Sequence, residues 1–212
     1  IAIDAEAGIP VTVEKMAAIY TTRDMAVSDP AAEACEAVSH MDGFEEILNS
    51  HRTAWKHIWN RFDMAVEKEA RTQMILRLHV FHLLQTVSMH SMDGDTGVPA
   101  RGWHGEAYRG HIFWDEMFIF PFLTVRAPEL TRSVLLYRYR RLYQARIAAK
   151  RQGFKGALYP WQSGSNGREE TQELHLNPKS GRWLPDHSHL QRHANAAIAF
   201  NVWNYFTTTH DV

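Results

Sequence analysis

Cysteine is nearly missing: Cys35 stands alone in 212 residues, so no disulfide can close within the chain, and a reducing compartment, the cytoplasm, is the expectation. Long hydrophobic runs are missing as well. No stretch reaches the roughly 18 apolar residues that a spanning helix requires, and the opening Ile1-Ala2-Ile3-Asp4 lacks the basic-then-apolar order of a signal peptide. An excess of charge is also absent. With 23 Lys and Arg against 24 Asp and Glu the formal charge is -1, which excludes a global field able to draw nucleic acid or an anionic membrane. There is no initiator Met, and the sequence ends at His210-Asp211-Val212 just after an apolar run, so the chain reads as a segment of something longer, a processed short protein being the alternative.

What is present is core material. At 45% hydrophobic residues the chain can bury one sizeable core. Residues 1–22 alternate in part, with Val11 and Val13 punctuated by Gly8 and Pro10, and predict a strand or two. Asp29-Pro30 opens a helix, and a second starts near Phe44 with Ile47, Leu48, His51, Trp55, Ile58, Trp59 and Phe62 at 3 and 4 spacing. A third, from about Ala70 to His90, is apolar nearly all round and should be buried among others. Residues 93–102 form a loop. Pro128 starts a long helix to about Arg151, stopped by Gly153. Residues 156–183, with little periodicity, read as a long loop of the functional kind, and Asp186 as the cap of a last helix to about Thr208. Helices joined by long aromatic loops predict a mainly α toroid of which this chain is about half.

Seven tryptophans exceed what packing asks for. Trp55, Trp59 and Trp203 lie on helices and are read as core; for Trp103, Trp114, Trp161 and Trp183, in or beside loops, packing and a ligand role, stacking on a sugar ring or a cation, both stand open. Asp115 and Glu116 sit among aromatic neighbours where a helix begins. A buried carboxylate there must be hydrogen-bonded, and a hydroxyl-rich ligand supplies donors; a plain helix N-terminal cap is the other reading. Arg109 is placed to neutralise either acid or to contact an anion. His189 and His193 have the i, i+4 spacing of metal ligands, but no Glu follows His189 to complete a zincin pattern, so polar packing is read there and no metal is assigned. Gly164-Ser165-Asn166-Gly167 does not satisfy the nucleophile-elbow frame, and Cys35, in an ordinary early helix, is structural.

The stretch Gly105-Glu106-Ala107-Tyr108-Arg109-Gly110-His111-Ile112-Phe113-Trp114-Asp115-Glu116, then Tyr159-Pro160-Trp161-Gln162-Ser163-Gly164, Gly167-Arg168-Glu169-Glu170 and Pro185-Asp186-His187-Ser188-His189-Leu190-Gln191-Arg192-His193, resembles glycoside hydrolase family 65. Val11-Thr12-Val13-Glu14-Lys15 is similar to the exit from that family's N-terminal β-sandwich. The resemblance implies a mainly α fold, part of an (α/α)6 barrel, with residues 1–28 as a short β remnant and linker and 29–212 as the first half of the barrel. It implies an inverting disaccharide phosphorylase, acting on an α-glucosidic disaccharide with inorganic phosphate as co-substrate and no other cofactor. It further implies that Trp114 and Asp115 hold the glucosyl unit, with Arg109, Trp161, Glu169 and Glu170 on the substrate side. The family's general acid and phosphate-gripping residues fall beyond the matched stretch, so no catalytic residue is assigned and the chain alone is expected to turn nothing over. An acid-trehalase-like hydrolase and a non-catalytic sugar-binding module are the alternatives. Partners are disaccharide and phosphate, without nucleic acid or membrane, and a homo-oligomer is compatible with all of these.

Overall fold

The computed structural model describes residues 3–92, 94–102 and 108–212. The chain divides into two units, residues 1–63 and 64–212. In the first, Asp29 accepts from the Ala31 and Ala32 N–H groups at 3.0 and 3.1 Å and Pro30 fills the first turn, so α1 starts there and runs Pro30–Ser39. Helix α2, Phe44–Phe62, follows Gly43, whose φ of 107° only glycine adopts without strain. Its Trp55 and Trp59 rings stack 5.8 Å apart, and Glu14 ties the leading segment to it by accepting from the Phe44 N–H. The strand expected in residues 1–22 is not found among the described residues of that stretch. Alternation supplies only a face. A strand needs a neighbour for its ladder, and Val11 and Val13 lie exposed with none beside them.

The second unit carries α3 (Ala70–Thr86), α4 (Glu116–Arg126), α5 (Pro128–Arg140), α6 (Leu142–Arg151), a hairpin of β1 (Leu174–Asn177) and β2 (Arg182–Pro185), and α7 (His193–Thr209). Gln73 fixes the start of α3 by accepting from Val66 N–H at 2.7 Å and donating to the Met64 carbonyl at 2.9 Å. Contrary to the reading from composition, α3 is not buried all round. Only Val80 and Leu84 are buried, while Met74 is 63% exposed, because no described element covers its other faces. Helix α4 packs on α5 and α7, and α5 on α7. Their core is Phe120, Leu123, Leu130, Val134 and Ile198, and the small Ala194 and Ala197 let α7 approach closely.

The helix expected over 128–151 is two helices turned at Arg141, φ −101° and ψ 6°. The loop expected over 156–183 contains the β1–β2 hairpin, with Leu174 opposite Pro185 and Leu176 opposite Trp183. Its turn is made by Asn177, which accepts from Lys179 and Ser180 N–H, and by Gly181 at φ 67°. The last helix begins at His193, not after Asp186. Asp186 instead accepts from the Ser188 N–H at 2.9 Å ahead of a single 3-10 turn, Ser188–Leu190, and Gln191 then breaks the run with extended backbone.

Candidate functional site

Two loops are sewn together at the start of α4. The Ile112 and Ser163 backbones exchange N–H···O bonds of 2.9 Å in both directions, and Ser163 also bridges to Glu169. Tyr137 of α5 anchors this seam: its hydroxyl lies 2.7 Å from the buried Ser163 Oγ and donates to the Gly164 carbonyl at 2.6 Å. The register fixes which aromatic rings meet. Trp114 and Trp161, distant in sequence, both stand edge-on to His193 at the first turn of α7, with centroids 4.8 and 4.9 Å away, and Phe113 backs Trp161 at 5.5 Å. Phe118 meets Trp114 at 5.1 Å. The sequence reading placed His193 with His189 as a metal spacing and missed it as the ring joining the two tryptophans. The two histidines do not share a helix, and among the described residues no group of three side chains can hold a metal ion.

Asp115 and Glu116 part company. Asp115 lies half-buried at the N-terminus of α4; its carbonyl accepts from the Phe118 N–H at 3.0 Å, but its side chain makes no cap and has no hydrogen-bond partner among the described residues. Its carboxylate is open to a donor from outside the chain. Glu116 is 1% exposed and fully engaged: Oε2 accepts from Arg138 at 3.0 and 3.2 Å and Oε1 from the Val98 N–H at 3.2 Å. Burial pushes its carboxyl above the ordinary value, with the Arg138 charge opposing. Arg138 in turn donates to the Phe113 carbonyl at 2.6 Å and so holds the residue before Trp114. Gly97 is needed beside this pair, since a Cβ there would stand 2.9 Å from Ile112 and 3.0 Å from Glu116 Oε1.

The loop bearing Trp161 is held by its own acid. Glu169 accepts from Trp161 N–H at 2.8 Å, Gln162 N–H at 3.1 Å and the Thr171 hydroxyl at 2.6 Å. Glu170 lies beside Gly164, across which His111 also sits; a Cβ on Gly164 would be 3.4 Å from Glu170 Cγ and 3.6 Å from His111 Cδ2. The loop floor is Gly167 on Arg141, whose guanidinium donates to Asp95 at 2.9 and 3.0 Å and to the Ser165 carbonyl, over the face of Tyr137 at 3.7 Å.

Arg109 is exposed, in left-handed backbone at φ 52°, and neutralises neither acid among the described residues; Arg138 does that for Glu116. Trp183 lies on β2, away from the ring cluster, and Trp203, read as core, is 64% exposed on a face of α7 that no described element covers. Trp103 lies outside the described residues. No signal in the local sequence singles out Arg138, one of several arginines in the 132–146 stretch.

Residues 77–212 match the glycosyl hydrolase family 65 central catalytic domain, and residues 1–58 match the glycosyl hydrolase family 65 N-terminal domain. An uncharacterized glycosyl hydrolase of Mycobacterium tuberculosis is 47% identical over 211 residues, covering 100% of this chain and 16% of that protein. The trehalose 6-phosphate phosphorylase of Lactococcus lactis is 41% identical, covering 78% of this chain and 22% of its own length. The kojibiose phosphorylase of Caldanaerobacter subterraneus is 38% identical, covering 95% and 26%. A solved structure from the human microbiome superposes with a TM-score of 0.67 over 86% of this chain and 22% of its own, at 22% identity, which bears on the fold alone. The chain thus spans between about a sixth and a quarter of the length of these curated relatives. Long motifs, mainly helical fold and matched domains agree: the chain belongs to glycosyl hydrolase family 65.

Proposed function

We propose that the whole protein is an inverting disaccharide phosphorylase, cleaving an α-glucosidic disaccharide with inorganic phosphate to β-glucose 1-phosphate and glucose. The observation that carries this reading is Asp115: a half-buried carboxylate without a partner among the described residues, at a helix N-terminus and next in sequence to Trp114, whose ring meets His193 and through it Trp161. Sugars present apolar ring faces and hydroxyl donors together, which is what such a site takes. Trp114 packs on the glucosyl ring and Asp115 accepts its hydroxyls, Trp161 and Glu170 line the substrate side, Glu169 keeps Trp161 in place, and Arg109 contacts the outer part of the substrate. The relatives named as phosphorylases support phosphate as the attacking group. No further cofactor is invoked.

In the single displacement, a phosphate oxygen attacks the anomeric carbon from the face opposite the departing oxygen, which leaves with a proton from a general acid. Neither the acid nor the phosphate grip is assigned to these residues. We assign residues 1–28 to the end of the N-terminal β-sandwich and its linker and 29–212 to the first half of the (α/α)6 barrel; the match to the N-terminal domain itself runs over residues 1–58. Among the described residues no helix is long and apolar enough to cross a membrane; the cytoplasm is the proposed location.

The deciding experiment is sugar release by the whole enzyme with and without phosphate, carried out also on Asp115→Asn. Phosphate-dependent formation of β-glucose 1-phosphate, lost in the variant, is expected. Undiminished glucose release without phosphate would replace phosphorolysis by hydrolysis, and sugar binding by Asp115→Asn at wild-type affinity would remove the role given to that residue.

A further inference from the structure

A cleft of about 590 Å³ opens between the C-terminal half of α6 and the loops carrying Tyr159, Arg168 and Arg192. It shares Gly167 and Glu169 with the site described above, but neither Asp115 nor any of the Phe113, Trp114, Trp161 and His193 rings lines it. Its lining contains Arg151, Arg168 and Arg192, with Glu169 as the one acid among the lining residues. That acid is spoken for. Its oxygens accept from Trp161 N–H, Gln162 N–H and Thr171 and form no ion pair with the arginines of the cleft among the described residues; three guanidinium charges against one carboxylate leave the lining positive. Arg151 and Arg168 make no ion pair among the described residues. Arg192 is held in place by donating to the His189 carbonyl at 2.7 Å and to Gln152 Oε1 at 2.8 Å, which leaves its remaining N–H groups oriented in advance. Like charges brought to one concave surface repel unless an anion fills it, and arginine forks match the oxygens of a phosphoryl group.

The size of the cleft says more than its charge. A volume of about 590 Å³ is that of a small-molecule site and far more than a bare oxyanion occupies. Beyond the arginines, Ile147 and Leu158 offer apolar surface, and Gln144 and His189 offer polar groups, the mixture that a sugar ring requires. We propose that this cleft binds a phosphate monoester of a sugar, with Arg151, Arg168 and Arg192 on the phosphoryl group and the ring over Ile147 and Leu158. The site is separate from the one holding the neutral glucosyl unit, and it gives the protein a means of responding to phosphorylated sugar.

The test is calorimetric titration of the purified protein with glucose 6-phosphate, inorganic phosphate and glucose at fixed ionic strength, repeated on the Arg151→Ala/Arg168→Ala double variant and on the double Lys variant. Both side chains are exposed, so the fold should survive, and circular dichroism checks that it does. Glucose 6-phosphate should bind at least about tenfold more tightly than either glucose or phosphate, the Ala variant should lose that margin, and Lys should restore part of it. Equal binding of glucose 6-phosphate and glucose, a margin that survives the Ala variant, or inorganic phosphate binding as tightly as the ester would each overturn the proposal. Because the readout is phosphoryl-dependent binding and not turnover, it can fail while the sugar site at Asp115 stands, and the reverse.

Discussion

Two adjacent carboxylates at the start of α4 have opposite fates because of what surrounds them. Asp115 is half-buried with its carboxylate unpartnered among the described residues; Glu116 meets Arg138 with both side chains almost wholly buried. A buried pair contributes less than its geometry suggests, yet removing one partner strands the other charge. Glu116→Gln should therefore cost about 3–5 kcal/mol in chemical denaturation, whereas replacing both residues by apolar ones of like size should recover much of it. A cost below about 1 kcal/mol for the single change would show that Arg138 finds another partner. Asp95 gives a pH signature. Burial raises its carboxyl, but the hydrogen bonds and charges of Arg141 and Arg140 prevail, and its value lies below the ordinary 3.8. A lowered folded value means stabilisation present above 3.8 and lost as pH falls through the folded value. Acid unfolding of the wild type and Asp95→Asn should then differ near neutral pH and converge at the acid end. Curves that run parallel throughout would mean the pair with Arg141 contributes nothing.

At the scale of elements, the helices α1 and α2 and the breaks at Pro128 and Gly153 were legible in sequence because capping and proline chemistry is local: Asp29 caps α1 with the very side chain that marks it. What was not legible depended on partners. Residues 1–22 alternate like a strand but find no ladder among the described residues, while the hairpin at 174–185 hid inside a loop whose four-residue strands are too short for periodicity to register. Trp114 and Asp115 could be singled out from their neighbours; His193 could not, since only the folded seam between Ile112 and Ser163 brings Trp161 to it. That seam rests on Gly167, at φ 74° with a would-be Cβ 2.7 Å from Arg141 Cβ. Gly156, at φ 88°, has nothing within 4 Å, so it isolates the backbone cost from the clash. Gly156→Ala should cost about 1 kcal/mol, and Gly167→Ala about 2–4 kcal/mol, with altered Trp161 fluorescence in the second alone. Equal losses would show that Arg141 yields freely and that the loop floor is soft.

For the molecule as a whole, the informative surface is apolar. Helix α7 presents Val202, Trp203 and Phe206 along a hollow of about 490 Å³, and α3 leaves Met74, Ile75 and Leu78 exposed. A helix in an (α/α)6 barrel packs against neighbours on both sides, so these are the faces that adjoining barrel helices would cover. Burying one such large side chain is worth about 1.5–3 kcal/mol, and several lie in line, so a chain of these residues by itself should associate through them. Residues 64–212 expressed alone should sediment as concentration-dependent oligomers and bind a hydrophobic dye, and Trp203→Asp with Phe206→Asp should shift the weight-average mass toward the monomer without loss of helicity. The same fragment should bind sugar weakly and form no β-glucose 1-phosphate, since no general acid is assigned to it. A sharp monomer at high concentration would mean that the α7 face is stable in water as it stands, and the barrel reading of that face would fall with it.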